Sequence, residues 1–464
     1  MSDWTYIPLR RSAAGALGSH AAARGAAMRI VRKLAALPGG AGLLRNLNFT
    51  RDLPETEVVV NGTTFASPIG VSVSPSQPGS ATVFRSLGFG FACSEDDLPA
   101  EAVISEATNV YGLLAELDQG APLVVANHAV LAEGPSIAQR VNEILAERSR
   151  STTLPEAVLW FRPWTWAAWV WALWLGVAMI CGGVGAAVIT YGPVLLGYDE
   201  EFLGVSVEEL RAMNGQLVPF IQHDRVTMAG SMMAIGFNDI GFAFAMRRGW
   251  RWARAGFALA GAVGFPTFFL FLGYRFFDPL HFAVATGFFP LYLMGVFGRR
   301  AEETWKVPID VDRNVRHRAL YGQILMIALA VGIFVGGLVI MIIGLRDVLI
   351  PSDRAFLGDT QTNLAAALDG RLLRFIAHDR AGFGGTLASL GVGLLATSAW
   401  GWRSGEKTTW WLLAAASTTG FGSALYVHIT VGYTDLLHLS PVYLGVAWVI
   451  VALYLSKEWF LADV

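Results

Sequence analysis

The segment Leu217-Val-Pro-Phe-Ile-Gln-His-Asp-Arg225 occurs a second time as Leu372-Leu-Arg-Phe-Ile-Ala-His-Asp-Arg380, so His223-Asp224-Arg225 and His378-Asp379-Arg380 stand 155 positions apart. The same shift carries Gly215 onto Gly370, Gly230 onto Gly385 and Gly236 onto Gly391. Upstream, Phe202-Leu-Gly204 matches Phe356-Leu-Gly358. Downstream, Gly273-Tyr274…Asp278-Pro-Leu-His281 answers Gly432-Tyr433…Asp435-Leu-Leu-His438, and a Pro-x-Tyr-Leu follows each, at Pro290 and Pro441. An internal duplication restricts the chain to two like units that bury their shared faces.

The kind of unit follows from composition. Of 464 residues, 54% are hydrophobic and 15% charged, with 16 Trp and 28 Phe, which predicts a polytopic membrane protein whose main partner is the lipid bilayer. A net charge of -2 excludes a nucleic-acid partner, because no basic surface is there to neutralise phosphates. Two cysteines, Cys93 and Cys181, give neither a disulfide framework nor a thiolate metal site. Richness in Ala, Gly and Arg suggests a bacterial source, hence a bacterial cytoplasmic (inner) membrane. No Walker motif, dinucleotide fingerprint, nucleophile elbow or zinc-protease motif occurs.

Residues 1–50 are basic and Ala-rich, with Arg10, Arg11, Arg24, Arg29, Arg32, Lys33 and Arg45 against Asp3. Apolar positions from Ala27 to Ala35 recur at helical spacing, which predicts amphipathic helices on an anionic membrane surface; a transit peptide is the alternative. Residues 51–155 form a small αβ domain. Two strands flank Asn61-Gly62, a buried strand covers Ala121–Ala126, and a helix runs from Ile137 to Arg148.

Eight apolar segments then follow, near 165–195, 226–246, 252–273, 279–298, 319–345, 381–400, 408–431 and 437–456. They group as two four-helix repeats, 160–300 and 315–458, so the fold class is mainly α. Loops after the second, fourth and sixth segments carry Arg247, Arg248, Arg251, Arg254, Arg299, Arg300, Lys306, Arg313, Arg316, Arg318, Arg403 and Lys407. The alternate loops carry Asp199, Glu200, Glu201, Glu208, Glu209, Asp347, Asp353, Asp359 and Asp369. The positive-inside rule then predicts both termini in the cytoplasm. An even-numbered unit re-enters the membrane in the same direction, so the repeats are parallel and both His-Asp-Arg triplets face outward. The Trp160–Trp174 cluster reads as an interfacial belt, and Gly182, Gly183, Gly336, Gly337, Gly384 and Gly385 as close helix contacts.

Thr5-Tyr-Ile-Pro-Leu-Arg-Arg, Leu43-Leu-Arg-Asn-Leu-Asn-Phe-Thr, Glu57-Val-Val-Val-Asn-Gly-Thr-Thr-Phe-Ala-Ser-Pro-Ile-Gly-Val and Leu87-Gly-Phe-Gly-Phe resemble the start of class 2 dihydroorotate dehydrogenases. Gln119-Gly-Ala-Pro-Leu-Val-Val, Glu133-Gly-Pro-Ser-Ile and Asn142-Glu-Ile-Leu-Ala are similar to the last strand and helix of that barrel. The resemblance spans about the first 150 residues and implies a membrane-apposed helix pair that admits quinone. Where the family has its flavin-contacting lysine this chain has Ser74-Pro-Ser-Gln-Pro78, and Ser94-Glu-Asp-Asp-Leu98 replaces a further flavin segment. A complete barrel needs about 250 residues, and about 95 are present. FMN and dehydrogenase chemistry are therefore not expected. The four-helix units are similar in size to DoxX-type quinone-reducing membrane modules.

Two candidate sites emerge. The duplicated polar residues His223, Asp224, Arg225, His281, His378, Asp379, Arg380 and His438 are expected around one or two outward-facing pockets that would take a phosphate, a metal ion or a quinone head group. Against this stands capping: His-Asp at the start of the second and sixth spans, Asp278 and Asp435 at the start of the fourth and eighth. The three-residue spacing of Asp278/His281 and Asp435/His438 also suits carboxylate support of an imidazole. His428 has no counterpart in the first repeat. Asp239 lies 14 residues beyond Arg225, about 21 Å down a helix, where an intramembrane carboxylate is a functional candidate or the partner of an inner-side Arg; Leu394 replaces it in the second repeat. The expected function is an electron-transfer-associated or non-catalytic binder of quinone or a related lipid. A transporter or channel, or an accessory subunit of a homo-oligomer or larger membrane complex, are the alternatives.

Overall fold

The computed structural model describes residues 13–48, 50–73, 79–94, 96–107, 109–127, 131, 134, 136–149, 162–301, 311–358 and 367–462. The Thr5–Arg11 and Ser74–Pro78 segments, Glu133, Trp160, Lys306 and Asp359 lie outside these.

Two helices lead, α1 (His20–Ala36) and α2 (Gly40–Asn48). The αβ domain follows. Strands β1 (Val58–Val60) and β2 (Thr63–Phe65) pair antiparallel about Asn61-Gly62, both at positive φ, as this turn requires. β3 (Ile69–Ser72), β4 (Phe91–Cys93), β5 (Ala102–Ile104) and β6 (Leu123–Ala126) form a parallel sheet in the order β4-β3-β6-β5. Helices α3 (Ser80–Ser86), α4 (Val110–Asp118) and α5 (Ile137–Ser149) complete it. Leu123 to Ala126 are all buried, as a parallel strand covered on both faces must be. The four parallel strands are half of what an eight-stranded barrel needs.

The remainder is helical: α6 (Ala168–Tyr191), α7 (Gly197–Leu203), α8 (Val207–Met213), α9 (Leu217–Arg247), α10 (Arg251–Phe271), α11 (Pro279–Phe297), α12 (Arg313–Leu345), α13 (Pro351–Leu357), α14 (Arg371–Trp400), α15 (Lys407–Val431) and α16 (Leu436–Phe460). Seven of these are long and apolar enough to cross a membrane: α6, α10, α11, α12, α14, α15 and α16. The eighth expected span falls within α9, which at 31 residues is long enough but carries Asp224, Arg225 and Asp239. Its position explains its composition. It packs on α6 and α15 and against α14, so protein rather than lipid surrounds it.

α14 is the other central helix. In its most apolar window 83% of residues are buried, against 17–28% in the other six spans. It packs on α12 and α10 as α9 packs on α6 and α15. Glycines permit both close approaches. A Cβ on Gly236 would lie 2.5 Å from the Gly176 carbonyl oxygen, and one on Gly384 would lie 2.6 Å from that of Gly337. Gly336, expected at such a contact, meets no neighbour.

Both central helices start earlier than their apolar runs. α9 begins at Leu217 and α14 at Arg371, with Gln216 and Gly370 as N-caps, so the two His-Asp-Arg triplets lie inside helices. The capping expected of them is therefore incorrect. The triplets have been drawn into helix because their side chains find partners there, and the apolar residues ahead of them, Leu217 to Ile221 and Leu372 to Ile376, pack in a core at this end. Short helices α7, α8 and α13 fill the acidic loops at this end. At the opposite end Arg403 pairs with Glu143 at 3.2 Å and the Trp400 indole donates to the Leu47 carbonyl, which seats the N-terminal domain there.

Candidate metal centre

The two triplets meet across the central helix pair. Arg225 Nε donates to Asp379 at 2.8 Å, and Arg380 Nε donates to Asp224 at 2.9 Å. Each guanidinium is used the same way on its remaining sides. Arg225 donates to the Val194 carbonyl, faces Asp199 at 3.6 Å and lies over the Phe375 ring; Arg380 donates to the Val348 carbonyl and to Asp353 and lies over the Phe220 ring. Buried charges survive only when paired and hydrogen-bonded, and these four are both.

The halves differ in their third carboxylate. Burial raises Asp199 to about 6, with Arg225 opposing, and its Oδ1 has no partner. Asp353 is also pushed up by burial, but the Arg380 hydrogen bond and charge, the Ile350 N–H and the Tyr433 hydroxyl outweigh this and hold it below the usual carboxylate range. The direct hydrogen bond from Arg380 makes most of the difference, and Tyr433 adds to it by donating to Asp353 Oδ1 at 2.8 Å. Phe276 takes the corresponding place in the first half, its ring tilted against Phe202 where Tyr433 stacks on Phe356, both pairs with centroids 4.6 Å apart. Tyr198 donates instead to Asp278.

Five of the eight histidines gather beside these pairs. On one side His281 Nδ1 lies 3.4 Å from His378 Nε2, and Phe268 packs on His281 with ring centroids 5.2 Å apart. On the other side His223, His428 and His438 each offer a nitrogen, all within 4.8 Å of one another. His428 packs on His438, again with centroids 5.2 Å apart, where the first side has Phe268. One side holds two imidazoles and a phenyl ring, the other three imidazoles.

The tautomers of His223 and His428 follow from their neighbours. A carbonyl oxygen only accepts, so Nδ1 of His223 donates to the Phe220 carbonyl and Nδ1 of His428 to that of Ala424 at 2.7 Å. In the neutral ring this leaves a lone pair on Nε2 of His223 and of His428. Tyr433 donates its proton to Asp353, and its oxygen lies 3.5 Å from His438 Nδ1. The Nε2 atoms of His428 and His438 are 3.2 Å apart, close to the about 3.3 Å that separates two nitrogens held about 2.0–2.1 Å from one tetrahedral zinc ion. Backbone or side-chain anchoring of the far ring nitrogen is how metal-ligating histidines are oriented. Asp224 Oδ1 lies 3.3 Å from His223 Nε2 and supplies negative charge beside the set.

All eight residues singled out from the repeats therefore lie in this cluster. Asp278 and Asp435 act as N-caps: Asp278 accepts from the N–H groups of Leu280 and His281, Asp435 from that of His438. They support the backbone of the histidines and not the rings. Asp199, Asp353 and Tyr433 were missed as site residues. The duplication carried the signal, since the match of Phe202-Leu-Gly204 to Phe356-Leu-Gly358 also places Asp199 on Asp353. Asp239 is buried in α9, and no hydrogen bond or ion pair involves it among the described residues, so the expected partnership with an inner-side Arg is absent.

No family model, curated protein or solved structure matches the chain.

Proposed function

We propose that this is an integral membrane protein of two parallel four-helix repeats, α6 and α9–α11 followed by α12 and α14–α16, that binds one transition-metal ion through His223, His428 and His438. The convergence of one ring nitrogen from each of three histidines within 4.8 Å carries the reading. Three imidazole ligands suit Zn2+, Cu2+ or Fe2+ and leave a coordination position open, the arrangement of a reactive centre in place of a closed structural one. The reciprocal use of Arg225 and Arg380 supports the repeats. The length of α9 and its burial between α6, α15 and α14 support an eighth span.

His438 opens α16, and its neighbours Leu436 and Leu437 are exposed apolar side chains on the first turn. An amphiphile whose head group reaches the metal while its tail stays in lipid fits this placement, and an isoprenoid quinone is the ligand we assign. The truncated N-terminal domain contributes no flavin chemistry to this reading.

Metal analysis of protein purified in mild detergent without chelator tests it. One ion per chain is expected, together with its loss in His428→Phe and its retention in His281→Phe. Metal-free wild-type protein that also fails to bind added Zn2+ or Cu2+ contradicts the reading. Organic extracts of the same preparation should contain quinone, and fewer equivalents in His438→Ala.

A further inference from the structure

A cavity of about 40 Å³ lies between α6, α9, α10, α11 and α14, and Asp239 is the one carboxylate that lines it. One water-sized particle needs roughly 10–15 Å³ on this measure, so about three fit. Asp239 is 5% exposed and has no hydrogen-bond or ion-pair partner among the described residues. It stands eight residues, about 12 Å, from the end of α9 that lies away from the histidines. An unpaired buried carboxylate is costly and is relieved by taking up a proton or a metal cation.

The other polar lining residues point to the same occupant. Tyr292 donates its hydroxyl proton to the Ala258 carbonyl at 2.7 Å, Ser389 to that of Ala260 at 3.0 Å, and Thr386 to that of Gly382 at 3.0 Å. Every side-chain donor on the wall is thereby spent, and the hydroxyls have only oxygen lone pairs left to offer. The remaining lining is apolar, including Met179, Phe257 and Phe265. Besides Asp239, Tyr292 is the one titratable group on the wall. An acceptor-only cavity with one negative charge rejects anions and is neutralised by a single positive charge; a divalent ion would leave an uncompensated charge in an apolar surrounding.

We propose that Asp239 and the hydroxyls of Ser389, Thr386 and Tyr292 form a site for one monovalent cation, either Na+ or a proton, within the helix bundle and separate from the histidines. The inference stands on different residues from the metal centre and survives if that centre fails.

Thermal unfolding of the full chain in detergent tests the site, with NaCl replaced by choline chloride at constant ionic strength, at pH 8 and pH 5. If Na+ occupies the site, NaCl raises the wild-type midpoint at pH 8 and less at pH 5, and Asp239→Asn abolishes the response. If the proton is the occupant, wild type is stabilised on going to pH 5 with no Na+ response, and Asp239→Asn shows a smaller pH difference, that of Asp199 alone. Wild type and Asp239→Asn that respond alike to both Na+ and pH overturn the proposal. Should Asp239→Asn fail to fold, Ser389→Ala is used: at least a tenfold rise in the Na+ midpoint supports the site, or for the proton a shift in the pH midpoint. An unchanged response of either kind counts against it.

Discussion

Arg225 and Asp379 join at 2.8 Å from opposite central helices, each contributed by the triplet that the other half of the chain repeats. The mirror pair, Arg380 with Asp224 at 2.9 Å, closes the exchange. Both pairs are almost wholly buried, so neither charge has water to fall back on. Removing one partner of a buried pair costs about 3–5 kcal/mol. Asp379→Ala and Asp224→Ala should each lose about that much in denaturant unfolding. The double variant Arg225→Ala/Asp379→Ala should lose less than the sum of its singles, since it leaves neither member of the pair stranded and only Asp199 without its cation. Additive losses would mean that the pairs do not couple the helices.

Stability should respond to pH through Asp199 and Asp353 in opposite senses. Asp199 is raised to about 6 from an ordinary value of 3.8, so between these values the folded protein holds a proton that the unfolded chain has released. Its contribution is fully present below about pH 4 and is lost as pH rises through about 6. Asp353 is lowered, so its contribution is present above about pH 4 and is lost as pH falls through its depressed value. Unfolding free energies measured against pH should show the loss between pH 4 and 6 in wild type and not in Asp199→Asn. Asp353→Asn should instead flatten the acid side.

Much of this arrangement was legible in the sequence because duplication acts as an internal alignment. Eight residues of the cluster could be named from two copies of His-Asp-Arg and two of Asp-x-Leu-His. The three-histidine set could not, because His428 breaks the repeat: the first half has Phe268 there, and pattern matching discards unmatched positions. Helix starts were also misplaced. Hydropathy ended the second and sixth spans at the first charged residue, whereas buried ion pairs let α9 and α14 continue through the triplets to Leu217 and Arg371.

The asymmetry is reversible by one side chain. Phe268 packs on His281, and His281 already lies 3.4 Å from His378. Phe268→His should therefore supply the third imidazole of a second set and raise metal content from one to two ions per chain. Stoichiometry by elemental analysis checks this; unchanged content would show that the anchoring through Tyr433 and Asp353, absent from the first half, is required.

Orientation is tested by labelling. In a background without Cys93 and Cys181, Glu208→Cys and Asp369→Cys lie exposed in the acidic loops, and Arg251→Cys and Arg300→Cys lie exposed at the other end. A membrane-impermeant thiol reagent added to intact cells should modify the first two and spare the others. The reverse pattern would place the histidine cluster on the cytoplasmic side.

X-ray absorption at the edge of the bound metal reads the proposed centre most directly. The account predicts three imidazole nitrogens at about 2.0–2.1 Å with one further light ligand if the ion is zinc, and the collapse of that imidazole signature in His428→Phe. A spectrum without imidazole scattering, or one that His428→Phe leaves unchanged, would contradict it.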